Sequence, residues 1–466
     1  MSLRYLSTRG KASPAGFEDV LLEGLAADGG LFVPESWPRL DPERLEALQG
    51  RPYPEVAQAV LAPFVGEALG EGELRALILD AYAGFAHQTV APLRQIGPAD
   101  WLLELFHGPT LAFKDIALQL LGRLFDHVLA RRGEHITIVG ATSGDTGSAA
   151  IHATAGRERM TVVILHPEGR ISEVQRRQMT TVDAANVHNV AVQGTFDDCQ
   201  ALVKAMFGDQ AFRERHHLAA VNSINWARIM AQAVYYVTAA LALGAPWRKV
   251  AFAVPSGNFG DVYAGYVAAR MGLPVVQLIV ATNRNDILAR FFRSGVYGAG
   301  EVRATMSPSM DIQVASNFER LLFELCGAEE VARLMTGFAG SRRLEVAPDA
   351  LGRARELIDA ASVSEDETAA TMALVLRTTG ILVDPHTAVG IHAGRACRSD
   401  PALPLVCLAT AHPAKFPDAV EQATGVRPAL PPRLASLMQR DERCVVLPND
   451  LAAVQAHIAS LGAAGA

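Results

Sequence analysis

Cysteine is scarce in this chain: the five present, Cys199, Cys326, Cys397, Cys407 and Cys444, are scattered and odd in number. No pair has the CxxC spacing of a zinc or redox site, and a dispersed, odd set builds no disulfide framework, so reduced thiols are expected. An excess of positive charge is also missing. Lys and Arg number 42 against 49 Asp and Glu, a net charge of -7, which lacks the basic face of a nucleic-acid binder. The most apolar helical stretch, Val234 to Leu243, is too short to span a bilayer. The opening segment, Met1 to Gly10, lacks the apolar core of a signal peptide. There is no internal repeat, and the one biased segment is an Ala/Gly tail from Leu461 to Ala466, expected to fray. These absences point away from a disulfide scaffold, a membrane protein and a nucleic-acid partner. They predict a cytoplasmic protein whose partners are small molecules or further copies of itself.

What is present has the balance of a globular protein. With 466 residues, 50% hydrophobic and 20% charged, the chain is too long for one core and is expected to form two or three domains. Up to about residue 95 it reads as helices and turns. Phe17 to Leu25 and Glu55 to Ile78, interrupted at Pro63, are helical; Asp28-Gly29-Gly30 turns into a short strand, Leu31 to Val33. From about residue 135 the rhythm becomes strand, loop, helix, strand. His135 to Val139 precedes the small polar segment Gly140 to Gly147, then a helix from Ser148 to Ala155 and a strand from Thr161 to Leu165. The unit returns as Val250 to Val254, Pro255 to Asp261, Val262 to Met271 and Val275 to Val280, and a further strand runs from Leu405 to Ala409. Such alternation defines an α/β fold with parallel sheets. Ligands in such sheets bind where strands end and helices begin.

Three segments carry chemistry. His107-Gly108-Pro109-Thr110-Leu111-Ala112-Phe113-Lys114-Asp115 joins a turn to an apolar helical pattern from Ile116 to Phe125. Desolvation beside Phe113 would lower the Lys114 amine's pKa and make it a usable nucleophile and base; the plain alternative is a solvated Lys114 paired with Asp115. Gly140 to Ser148 contains Thr142, Ser143, Gly144, Asp145 and Thr146 between a strand and a helix, where N–H groups and hydroxyls suit a carboxylate or phosphate. It is neither a Walker A loop nor a dinucleotide GxGxxG loop, and Asp145 could serve simply as a helix cap. Ser256 with Gly257, Asn258, Phe259, Gly260 and Asp261 occupies the same position in the second unit; its plain reading is a tight turn with Asn258 left-handed. Two such loops imply a ligand with more than one anionic group, or two ligands side by side. Asn222-Ser223-Ile224-Asn225-Trp226-Ala227-Arg228 adds a hydroxyl, amides and a guanidinium suited to bidentate phosphate contact or to a surface ion pair. Thr410, after the late strand, is either structural or directed at the cleft.

Taken together these segments resemble threonine synthase of the bacterial and fungal type. The resemblance begins at Tyr5-Leu6-Ser7-Thr8-Arg9-Gly10 and Asp28 to Pro34. It runs through the segments above to Asp384-Pro385-His386-Thr387 and Thr410-Ala411-His412-Pro413. It implies the tryptophan synthase β-like fold, with two open twisted, mostly parallel sheets and a mainly helical N-terminal domain at 1–95. A large domain at 96–130 and 216–466 would bind pyridoxal 5'-phosphate, and a small α/β domain at 131–215 would close on substrate. The resemblance also implies that Lys114 holds the cofactor as a Schiff base. Gly257, Asn258, Phe259, Gly260 and Asp261 would cradle the cofactor phosphate, and Thr410 would bond the pyridine nitrogen. Thr142 to Thr146 would take the substrate carboxylate, while Ser223 and Arg228, with Thr146, would take the substrate's own phosphate. Asp145 departs from relatives with Asn there: a carboxylate near the ring hydroxyl needs a proton, a cation or a displaced position. The implied reaction converts O-phospho-L-homoserine and water into L-threonine and phosphate, in a monomer or homodimer. A serine or threonine dehydratase on the same fold would share Lys114 without needing a second phosphate site, and a non-catalytic homologue would bind without turnover.

Overall fold

The computed structural model describes residues 3–220 and 223–463. Asn222 and the last three residues of the Ala/Gly tail lie outside the described residues. The chain divides into two compact units, Met1–Ala117 with Ser223–Pro428, and Leu118–Asn222 with Ala429–Ala466.

The first unit is built on a six-stranded sheet in the order Ile358–Ser362, Val275–Thr282, Val250–Pro255, Leu405–Ala409, Asp100–Glu104 and Leu93–Gln95. Neighbours are parallel except for the last pair, which is antiparallel. Val250–Pro255 and Leu405–Ala409 are buried at every position. Both faces of such central strands are covered, which is why they read as unbroken apolar runs rather than alternating ones. The helix Pro385–Cys397 lies close over them because Gly394 offers no side chain: a Cβ there would stand 2.7 Å from that of Ala253. The apolar stretch from Val234 belongs to the helix Trp226–Ala242, buried along nearly its whole length. No helix among the described residues is long and apolar enough to cross a membrane.

Residues 1–95, expected as a separate domain, are counted within the first unit. Their short antiparallel pair Tyr5–Ser7 and Phe32–Pro34 and their helices are fastened to it by buried bonds. Thr8 Oγ1 donates to Glu319 Oε1 at 2.6 Å, and Asn225 Nδ2 donates to Leu21 O at 2.8 Å. The break expected at Pro63 falls three residues later. Pro63 sits inside the last turn of the helix Tyr53–Val65, where it forgoes one backbone bond without ending the helix, and Gly66 at φ +55° ends it.

The second unit carries a parallel five-stranded sheet in the order Val445–Pro448, Val187–Gln193, Met160–Pro167, Ile136–Ala141 and Leu218–Ala219. Its composition departs from the expected boundaries at both ends. Residues 118–130 join it, because Gly122 lets the helix Lys114–Arg132 meet Ala153, whose carbonyl oxygen would be 2.4 Å from a Cβ at that site. Residues 429–466 join it too: Val445–Pro448 forms the edge strand beside Val187–Gln193, and Val454 and Ile458 pack with Val163, Leu202 and Met206 in its core. An edge strand contributed from about 255 residues away leaves no local signal in the chain.

Candidate active site

Three neighbouring parallel strands of the first unit end at one edge, and each hands the chain to a predicted segment. Val250–Pro255 leads into Ser256–Asp261, Leu405–Ala409 into Thr410, and Asp100–Glu104 into the loop before Lys114. The last two are stitched together. Phe113 N donates to Thr410 O at 2.8 Å, His412 N to Leu111 O at 3.0 Å, and Ala112 bridges Ala411. Thr410, itself buried, is thereby fixed beside the residue preceding Lys114.

Lys114 opens the helix Lys114–Arg132, half-buried, with Nζ 4.8 Å from the centroid of the Phe113 ring. Its neighbour Asp115 is committed elsewhere. Thr110 N and Oγ1 donate to its two carboxylate oxygens at 2.8 and 2.7 Å, and the buried Lys415 donates to Thr110 O at 2.7 Å. Gly108 makes room for this: a Cβ there would fall 2.4 Å from that of Asp115. Full burial pushes Asp115 up to about 6, against the pull of Thr110 and Lys415.

The Ser256–Asp261 turn is held by its own hydroxyl. Ser256 Oγ donates to Asp261 Oδ1 and accepts from Phe259 N at 3.1 Å. The left-handed residue is Phe259, at φ +65°, rather than Asn258 as the alternative of a plain tight turn had it. Asn258 instead uses its amide, donating from Nδ2 to Ser223 Oγ at 2.9 Å. Burial raises Asp261, with the Lys114 charge acting in the opposite direction. Gly260 starts the helix Gly260–Arg270, so the turn presents a helix N-terminus, a setting suited to an anion.

Arg228 lies in the first turn of Trp226–Ala242, capped by Asn225, whose side chain accepts from Ala227 N at 3.0 Å. Arg228 is 3% exposed, and among the described residues its Nε and Nη1 have no hydrogen-bond partner. Burial pushes it down to about 10, while Asp261 acts to raise it. A surface ion pair is therefore ruled out. A buried cation with unmet donors demands an acceptor, and an anion meets it best.

Thr142, Ser143, Gly144, Asp145 and Thr146 lie in the second unit. Thr142 Oγ1 accepts from Gly144 N at 3.0 Å and Gly147 N at 2.9 Å, curling the loop around its own hydroxyl. Asp145 is the first residue of the helix Asp145–Thr154, and Gly144 is the N-cap, so the carboxylate does not cap. Gln175 Nε2 donates to Asp145 Oδ1 at 2.9 Å, holding the buried carboxylate with a neutral amide. Gln175 was invisible in the chain because its only signal is a contact thirty residues away.

These residues fit pyridoxal phosphate: an amine at a helix start, a glycine turn at a second helix N-terminus, and an unmet buried guanidinium. The comparisons agree. Residues 90–405 match the family described as pyridoxal-phosphate dependent enzyme, and the chain is a member of that class. Residues 4–82 match the threonine synthase N terminus and 387–458 the threonine synthase C-terminal family. The threonine synthase of Pseudomonas aeruginosa is 56% identical over 466 residues, 99% of each chain. The crystal structure of PLP-bound threonine synthase from Brucella melitensis superposes with a TM-score of 0.97 at 53% identity, and that of the yeast enzyme with 0.95 at 39%, each over 99% of both chains. The chain belongs to the threonine synthase family, a group of pyridoxal-phosphate-dependent lyases.

Proposed function

We propose that the chain converts O-phospho-L-homoserine and water into L-threonine and phosphate, in the cytoplasm, and that the predicted residues carry this reaction. Lys114 would hold the cofactor, Gly257, Asn258, Phe259, Gly260 and Asp261 its phosphate, and Thr410 its ring nitrogen. When bound, pyridoxal phosphate supplies an electron sink for the pair released at the substrate's α carbon. The Lys114 amine, on the edge shared with Thr410, takes the protons at Cα and Cβ; a proton is returned at Cγ once phosphate has left, water adds at Cβ, and Cα is reprotonated last. Thr410 is a neutral partner and tempers the sink without protonating it. Ser223 and Arg228 receive the phosphate departing from Cγ and neutralise the negative charge that develops on its oxygens. The Thr142–Thr146 loop is assigned to the substrate carboxylate. The bond that Asp145 accepts from Gln175 supports the reading in which this carboxylate is turned aside from the substrate anion. Five free cysteines suit a reducing compartment.

The observation that carries the reading is the buried Arg228 guanidinium with two unmet nitrogens, beside a turn that already suits one phosphate. A dehydratase has no use for this second anion site. Purified enzyme given O-phospho-L-homoserine is expected to release phosphate and threonine in equal amounts. Keto-acid formation from threonine without phosphate release would reassign the reaction. Arg228→Ala should lower kcat/KM roughly thirty- to a thousandfold, the scale of a lost charged hydrogen bond in a dry site; an unchanged value removes Arg228 from the phosphate site.

A further inference from the structure

Arg320 lies at the start of the helix Phe318–Cys326, fully buried at 0% exposure, as is Asn317 immediately before that helix. Among the described residues its guanidinium makes no hydrogen bond to a carboxylate. Nε donates to Phe32 O at 3.0 Å, Nη2 to Ile224 O at 2.6 Å, and Nη1 to Asn317 Oδ1. A buried cation spread over neutral acceptors is costly unless it fixes something that matters. The guanidinium also lies over Trp226, 5.8 Å from the ring, so it spans both ends of the segment that leads from Ser223 into the helix bearing Arg228.

Asn317 passes the constraint on. Its Nδ2 donates to Ser223 O at 3.2 Å, and its backbone N donates to Asn258 O at 3.1 Å. The next link is direct: Asn258 Nδ2 donates to Ser223 Oγ at 2.9 Å, while Ser316 N donates to Asn258 Oδ1 at 3.3 Å. Asn317 Nδ2 also approaches the glycine turn closely, since a Cβ on Gly260 would stand 3.1 Å from it. One side chain thus touches the hydroxyl-bearing segment and the glycine turn, and both are needed for anions under the function proposed above.

We propose that Arg320 and Asn317 are positioning residues that lock Ser223 to the Asn258 turn, so that the cofactor phosphate and the substrate phosphate are received by one rigid piece of backbone. Neither residue touches a ligand. Asn317 sets the distance between the two anion sites, and Arg320 holds Asn317 while anchoring it to Phe32 of the N-terminal segment. The N-terminal segment thereby gains a role in binding. This inference rests on the assignment of Ser223 to the substrate phosphate, but its cofactor arm does not.

The test uses full-length Asn317→Ala, which removes the tether without adding charge, and Arg320→Lys, which keeps the charge but cannot span three acceptors. Two quantities are read in addition to kcat and KM: the dissociation constant of pyridoxal phosphate from the apoprotein, followed by absorbance, and the inhibition constant of inorganic phosphate. Both constants are expected to rise about five- to tenfold, the scale of a net hydrogen bond, with KM moving by a similar factor and kcat by much less. In a double-mutant cycle, Ser223→Ala and Asn317→Ala should be non-additive in phosphate inhibition. A folded Asn317→Ala or Arg320→Lys protein with unchanged cofactor affinity overturns the proposal. Should Ser223→Ala alone leave phosphate inhibition untouched, the substrate-phosphate assignment fails, and the cofactor constants of the two tether variants still decide whether the lock exists.

Discussion

At the residue scale the Lys114–Asp115 pair shows how neighbours in sequence divide their tasks. Asp115 is sealed by Thr110 and Lys415, so its carboxylate stabilises the loop. The amine one residue earlier opens the helix over Phe113. Lys114→Ala is expected to abolish turnover, and borohydride reduction of the wild-type holoenzyme should fix the cofactor on the peptide containing Lys114. Label on any other lysine peptide would reject the assignment. Asp115 gives a pH signature. Burial raises it from 3.8 to about 6, so the folded chain holds this proton more tightly than the unfolded one. The contribution to stability is fully present below about pH 4 and is lost as pH rises through about 6. Asp115→Asn should remove that slope, at most about 3 kcal/mol. Urea midpoints of both proteins from pH 4 to 7 would show it, and parallel curves would refute it.

At the scale of elements the boundaries carry the lesson. The helices predicted from Ser148 and Val262 begin at Asp145 and Gly260. Small polar residues read as loop, yet the first turn of a helix needs no acceptor for its N–H groups, so such residues enter it freely. That shift moves Asp145 and Gly260 from the loop into the helix N-terminus, where an anion would sit. The loop before Asp145 is also conformationally specific. Gly144 has φ +138°, and a Cβ there would come 2.5 Å from Gln175 Cδ. Gly144→Ala should therefore destabilise by about 1–3 kcal/mol and displace Gln175 from Asp145. Expected readouts are a lowered Tm and a raised substrate KM; a native Tm would show that the loop yields.

For the whole molecule, the C-terminal segment is the decisive piece. It supplies Val445–Pro448 at the sheet edge, and Arg176 and Thr180 both bond Glu442. Val454 and Ile458 close the core below. A chain ending at Pro428 should expose Val187–Gln193 as an unpaired edge and open that core. Hydrogen exchange is expected to lose protection across Val187–Gln193 and the helix Phe196–Gly208, with aggregation on warming. Unaltered protection would mean the second unit stands without its terminal segment.

By itself the chain determined the α/β rhythm, the two glycine-bearing turns, the candidate amine and the strand Leu405–Ala409, observed with the same bounds. These depend on local period and on residues with few conformational alternatives, so they are written in short windows. Tertiary structure alone decided which strands lie side by side, and hence that Thr410 meets Phe113. It also decided that Asn258 reaches Ser223 and that Gln175, Asn317 and Arg320 matter at all. Those contacts join residues tens to hundreds of positions apart. Their side chains have ordinary identities, and only the closing of the fold gives them partners.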